Sequence, residues 1–199
     1  MEYIYNENKK GAPVFVLLHG TGGTETDLLP LAQALNPEYN VLSIRGNVKE
    51  NSMNRYFKRL GEGNYDWEDL EFRGNELYEF IAEKATEYDF KLEDVIFVGF
   101  SNGSNIAIQL MLQQEEKFKK AMLFAPLYPT DLEKKHDFSD VKVFLSLGKG
   151  DPIVPEHESE RVIKLFEDRN AAVTTVWVNG HTLPQEALIA GEEWLNQQF

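Results

Sequence analysis

Two hydrophobic periods alternate along the chain. Short, nearly unbroken apolar runs such as "PVFVLL", "VIFVGF" and "VKVFLSL" are separated by longer stretches whose apolar residues recur at helical spacing. Runs of about five apolar residues read as strands buried on both faces, and the 3.6-residue spacing reads as amphipathic helix. This succession predicts a largely parallel sheet with helices on both sides. The first predicted elements are a strand near 13–18, a helix over "TETDLLPLAQAL" opened by a threonine cap, and a strand in "YNVLSIRG". A loop-like tract to about residue 68 and a helix near 69–88 follow. The strand 95–99 then runs into a helix from Ser104, and further strands lie near 121–126 and 141–147. A helix in "PEHESERVIKLFEDR", a last strand in "AAVTTVWVNGH" and a closing helix complete the order. The opening "EYIYNE" alternates as an antiparallel edge strand would. At 199 residues the chain is expected to form one domain.

The turn between the strand at 95–99 and its helix carries a serine between two glycines, in "GFSNG". Glycine and serine are common in turns, and the G-x-S-x-G pattern arises by chance in about one chain of this length in twenty. The sharper reading is a nucleophile elbow, in which a tight strand-to-helix turn lifts the Ser101 hydroxyl clear of the sheet. Gly99 and Gly103 would then be small so that the turn can close. The following helix would point its positive end at the serine.

An elbow requires an acid and a base later in the chain, at the carboxyl ends of further strands. There are four histidines, which makes the choice short. His19 and His136 precede a suitable acid, and His157 opens a charged helix and reads as a surface residue. His181, just past the last strand in "VWVNGHTLP", remains as the base. Asp151 follows the strand near 141–147 in "LGKGDPIVP", where glycines let the chain bend and Pro152 stops it from continuing regularly. A plain Asp-Pro surface turn is the alternative for Asp151, but its position favours the acid. Asp137 and Asp140 lie before that strand and fit less well. For a developing oxyanion, the backbone N–H of Asn102 follows the serine. The second donor is expected from "LLHGTGGTE", where Gly20, Gly22 and Gly23 allow close approach and Thr21 supplies the N–H. A phosphate-binding glycine loop would need G-x-G-x-x-G or a G-K-[ST] ending, and neither occurs. His19 reads as a packing and hydrogen-bonding residue behind this loop.

Charge and composition narrow the class further. With 33 acidic against 20 basic residues, the net charge of -13 opposes binding to nucleic acid or anionic lipid. The absence of cysteine excludes disulfides, thiolate metal sites and a cysteine nucleophile. No basic and then apolar leader is visible, nor an apolar run of membrane-spanning length, so the expected compartment is the cytoplasm.

Together, "LLHGTGG", "GFSNGS", "GKGDPIVP" and "NGHTLP" resemble the carboxylesterase and phospholipase family of small α/β-hydrolases, which includes acyl-protein thioesterases. The tract "SIRGNVKENSMNRYFKRLGEGNYDWEDLEFR" is similar to that of bacterial methylhydroquinone-inducible hydrolases. The resemblance spans about residues 12 to 195 and implies an α/β-hydrolase fold without a large lid domain. It also implies a serine nucleophile at Ser101, acid at Asp151, base at His181 and backbone donors at Thr21 and Asn102. No metal or organic cofactor is called for. Asn102 stands where the thioesterase relatives carry glutamine, which weakens any transfer of their long-chain acyl substrates. Arg55, Tyr56, Phe57, Tyr65 and Trp67 are expected to overhang the serine as a substrate wall, although each aromatic could merely pack the segment onto the domain.

The expected activity is a carboxylesterase for small soluble esters, working through an acyl-enzyme. A thioesterase, a C–C hydrolase of aromatic-degradation products and a noncatalytic ligand sensor on the same fold are the alternatives. Partners are expected to be limited to a small-molecule ester, with a homodimer possible and neither nucleic acid nor membrane involved.

Overall fold

The computed structural model describes residues 1–130 and 136–198 of the chain. The first elements are β1 (Tyr3–Asn6), β2 (Val14–Leu18), α1 (Leu29–Leu35) and β3 (Asn40–Ile44). The short strands β4 (Val48–Glu50), β5 (Met53–Arg55), β6 (Arg59–Gly61) and β7 (Asn64–Tyr65) follow, and then α2 (Trp67–Glu87). The elbow strand is β8 (Val95–Phe100), succeeded by α3 (Asn102–Gln113), β9 (Lys120–Phe124) and β10 (Lys142–Lys149). The chain closes with α4 (Glu156–Glu167), β11 (Ala172–Asn179) and α5 (Gln185–Asn196).

The main sheet has seven strands in the order β1-β3-β2-β8-β9-β10-β11. All neighbours are parallel except β1, which pairs antiparallel with β3 at the edge. Why the central strands read as unbroken apolar runs is evident from their two faces. Along β2, Val14, Val16 and Leu18 enter one core, whereas Phe15 and Leu17 enter the other. In β8, Val95 and Phe97 face the first core and Ile96 and Val98 the second. Leu70, Leu77 and Ile81 of α2, Ile106 and Leu110 of α3, and Val162 and Phe166 of α4 close the first core. Leu31 and Leu35 of α1, with Ala187 and Trp194 of α5, close the second. Phe15 and Phe97 are fully buried, and each contributes about 2–3 kcal/mol by leaving water.

Two expectations need correction. The first helix spans Leu29–Leu35 rather than starting at Thr24, and no side chain caps it. Pro30 is the reason: it lacks an N–H, and inside a longer helix its ring would clash with the carbonyl four residues back, so it fits only a first turn and residues 25–28 form turns instead. The tract expected as loop up to residue 68 contains two antiparallel ribbons, β4 with β5 and β6 with β7. Strands of two or three residues are too short for alternation to register. In addition, α2 begins at Trp67, where the Asp66 carboxylate accepts the Asp69 N–H.

From β2 the chain steps to β3 on one side, and then crosses back to β8 on the other. The carboxyl ends of β2 and β8 therefore border the crevice where open α/β sheets place their ligands. Among the described residues no helix is long and apolar enough to cross a membrane.

Candidate active site

Ser101 stands between β8 and α3 with φ 50° and ψ -114°, a conformation that costs a non-glycine residue about 1–3 kcal/mol. Its N–H donates to the Phe124 carbonyl of β9 at 2.8 Å, and its carbonyl accepts the first α3 bond from Asn105 at 3.1 Å. The turn is thus fixed on both sides. Strain of this kind persists only where the surroundings enforce it, and here it holds Ser101 at the carboxyl end of the sheet.

His181 and Asp151 reach the serine from the ends of β11 and β10. His181 Nε2 lies 2.9 Å from Ser101 Oγ, and Nδ1 lies 2.7 Å from Asp151 Oδ2. The other carboxylate oxygen of Asp151 accepts the N–H of Ile153 at 2.7 Å and of Val154 at 3.0 Å. With its side chain fully buried and its lone pairs occupied, the carboxylate cannot turn away from His181. Gly148 permits this approach, because a Cβ there would meet the Gly180 carbonyl at 2.5 Å and the Asp151 side chain at 2.8 Å. Asp151 at Nδ1 leaves Nε2 of the neutral ring to accept a proton from the serine. Phe100 packs against the same imidazole, with ring centroids 5.4 Å apart.

The loop after β2 is held by the ribbon that follows β3. Gly22 N–H donates to the Asn54 carbonyl, the Asn54 side chain returns a bond to the Gly23 carbonyl, and Arg55 Nη1 donates to Thr21 Oγ1 at 2.6 Å. The backbone N–H groups of Thr21 and Asn102 donate to no acceptor among the described residues, and both residues line the cavity that contains Ser101. Gly20 lies in the same loop against the Phe100 ring, while Gly99 and Gly103 sit where β8 and β2 meet the start of α3. Behind the loop, His19 Nε2 accepts the Gly46 N–H at 3.0 Å, so the ring proton resides on Nδ1 and donates to the Gly20 carbonyl at 2.6 Å. Tyr56 OH bridges the His19 N–H and the Ile44 carbonyl.

Burial lowers the pKa of His19 below the ordinary imidazole range, keeping it neutral. An unfolded chain binds a proton at His19 at a higher pH than the folded one, so this group favours folding above about pH 6.5 and loses its contribution as pH falls toward the depressed folded value. Replacing His19 with glutamine is expected to flatten the decline in denaturation midpoint between pH 7 and pH 5. Parallel declines in the two proteins would mean that other groups set the slope.

The cavity holds about 250 Å³, below the usual span for drug-sized ligands. Of the residues expected to form a substrate wall, Arg55 and Tyr65 line this cavity. Tyr56 and Phe57 do not: they are 3% and 0% exposed and belong to the core beneath the ribbons. Trp67 is not part of the wall either, and packs instead beside Tyr65 and Tyr128. Sequence reasoning missed Asn105, Leu127 and Val154 as lining residues. Asn105 bonds both Tyr65 OH and the Leu127 N–H, which fixes the cavity floor. Its spacing of one helical turn from Ser101 was the available signal. Burial raises the pKa of Tyr65, so it remains a neutral phenol donating to the Leu127 carbonyl. Burial, followed by the nearby Arg59 charge, pulls Arg55 below the usual guanidinium value.

Sheet order, elbow and crevice together define an α/β-hydrolase. The chain belongs to the phospholipase/carboxylesterase family, which it matches over residues 1–198. It is 39% identical to the protein named MhqD of Bacillus subtilis (strain 168) over 198 residues, covering 99% of this chain and 98% of that one. The Bacillus cereus carboxylesterase structure is 43% identical, with a TM-score of 0.96 over 100% of this chain and 95% of that one. YahD, in a structure with malic acid, is 31% identical with a TM-score of 0.95, covering 100% of this chain and 99% of that one.

Proposed function

We propose that the protein is a serine carboxylesterase that cleaves small esters through an acyl-enzyme. The hydrogen-bonded series from Ser101 Oγ through His181 to the buried Asp151 carries this reading. Ser101 attacks the ester carbonyl as His181 Nε2 takes its proton, and Asp151 steadies the imidazolium. The N–H groups of Thr21 and Asn102 receive the negative charge on the carbonyl oxygen. Collapse of the tetrahedral intermediate breaks the bond to the alcohol, which leaves with the proton from His181. Water then attacks the acyl-enzyme by the same route, releasing the acid and restoring Ser101.

A cavity of about 250 Å³ supports small substrates over long-chain lipids, and the structure of the relative YahD with malic acid agrees with a small, polar occupant. Treatment with a fluorophosphonate tests the nucleophile directly. Intact-mass analysis should give one adduct, mapping to the peptide that contains Ser101. Failure to form an adduct, or labelling of another serine, would remove the proposed mechanism.

A further inference from the structure

A buried cation borders the cavity, and the hydrolytic steps above leave it without a substrate-facing task. Arg55, at the end of β5, is 3% exposed and shares the cavity with Ser101, Thr21 and His181. Its Nη1 donates to Thr21 Oγ1 at 2.6 Å, and its Nε donates to the Phe57 carbonyl at 3.3 Å. A guanidinium carries five N–H bonds. The remaining three find no acceptor among the described residues.

Charge pairing is equally incomplete. Glu50 Oε2 lies 3.2 Å from Arg55 Nε, but the same oxygen lies 3.0 Å from Arg59 Nε, and the Glu50 side chain is 30% exposed. Glu62, at the cavity rim, stands 3.8 Å from Arg59 and is 66% exposed, so solvent weakens its effect. Two cations thus share one close carboxylate. A buried charge is costly unless closely paired, and a neutral amide could hold the Thr21 hydroxyl without that cost. Holding the loop does not by itself account for an arginine.

We propose that Arg55, supported by Arg59, binds a carboxylate on the substrate, so that the preferred substrates are small esters bearing a free acid group near the scissile carbonyl. This rests on the serine-esterase reading of the same site. Thr21 sets the spacing: its N–H is the proposed oxyanion donor and its hydroxyl is bonded to Arg55, so the two charges on the substrate lie about one side chain apart. Half-esters of short dicarboxylic acids and acyl esters of short hydroxy acids meet this requirement. A monoanionic carboxylate fits the planar fork of Arg55, whereas the Glu50 and Glu62 carboxylates oppose a dianionic phosphate.

The test compares two isosteric pairs by pH-stat: monoethyl succinate with ethyl 4-methylpentanoate, and O-acetylglycolate with isobutyl acetate. For at least one pair, the wild type should show kcat/KM about 10-fold or more in favour of the acid. Arg55→Gln should lower that acid-to-neutral ratio by about 10- to 100-fold, with Arg55→Lys intermediate. Succinate should inhibit neutral-ester hydrolysis competitively in the wild type. An equal fall on both members of each pair would assign Arg55 to holding Thr21 alone and overturn the proposal. So would a wild-type ratio at or below one in both pairs, which decides the matter even if the glutamine variant fails to fold. A fluorophosphonate adduct on Ser101 without acid preference refutes the recognition of carboxylate only. Absence of the adduct refutes the esterase reading and this inference with it.

Discussion

Ser101→Ala is expected to lower kcat by about 10⁴- to 10⁶-fold while leaving the protein folded. The size follows from the proposed mechanism, in which removing Oγ leaves His181 with no proton to accept and the ester with no nucleophile, while the N–H groups of Thr21 and Asn102 would still polarise a bound carbonyl. Residual activity above the uncatalysed rate would come from those donors. Stability should change little, because alanine keeps the Cβ and therefore the strain at φ 50°. The loss is limited to one hydrogen bond with His181, worth about 1 kcal/mol. Parallel measurements of ester turnover, fluorophosphonate labelling and thermal unfolding separate the two effects. A variant retaining more than about a tenth of wild-type kcat would mean that another group is the nucleophile.

Gly103→Ala is expected to damage the fold as well as the activity. Helix propensity alone would favour alanine by about 1 kcal/mol. The added Cβ, however, would meet the carbonyl carbon and oxygen of Leu18 well inside van der Waals separation and the His19 carbonyl oxygen at 2.7 Å. All of these are main-chain atoms, and Leu18 ends a fully buried central strand, so neither side can rotate away. Relief requires α3 to move off the sheet, taking Ser101 and the Asn102 N–H with it. Overpacking against rigid backbone should outweigh propensity and cost more than about 3 kcal/mol, or about 6–12 °C in Tm. A displacement of about 1 Å at the site should also cost about 100-fold in kcat. Gly61→Ala is the control, because nothing lies within 4 Å of a Cβ placed there, and its melting curve should match the wild type. If Gly103→Ala melts with the wild type, the seating of α3 on the end of β2 is wrong.

The features that could be read early are local. Strand β8 is continuous apolar sequence because both faces are covered, so its type and end can be seen without knowing its neighbours. Asp151 and His181 follow strand ends, and the rule that ligands gather at carboxyl ends needs only the strand order along the chain. The distances of 2.9 and 2.7 Å that join them depend on β10 lying beside β11 and on Gly148 letting their loops touch. The threonine expected to cap the first helix failed because Pro30 is tolerated only in a first turn, a local effect that the apolar spacing hid.

The tract from Arg45 to Asp66 marks the boundary. Its residues identified an overhanging segment rich in arginine and aromatic side chains, but not which of them would face the cavity. In ribbons this short, a shift of one residue exchanges the inward and outward faces, and no repeat within the segment fixes the choice. Tertiary packing made that choice: Tyr56 and Phe57 went to the core, and Arg55 and Tyr65 to the wall. The sequence by itself determined the succession of main-sheet strands and helices, the strand-to-helix corner at Ser101 and the positions of Asp151 and His181 just past strand ends, because each depends on neighbouring residues. Only the tertiary structure decided which cations share the cavity with the serine, because the Arg55 guanidinium is positioned by the hydroxyl of Thr21, distant along the chain, together with the Phe57 carbonyl.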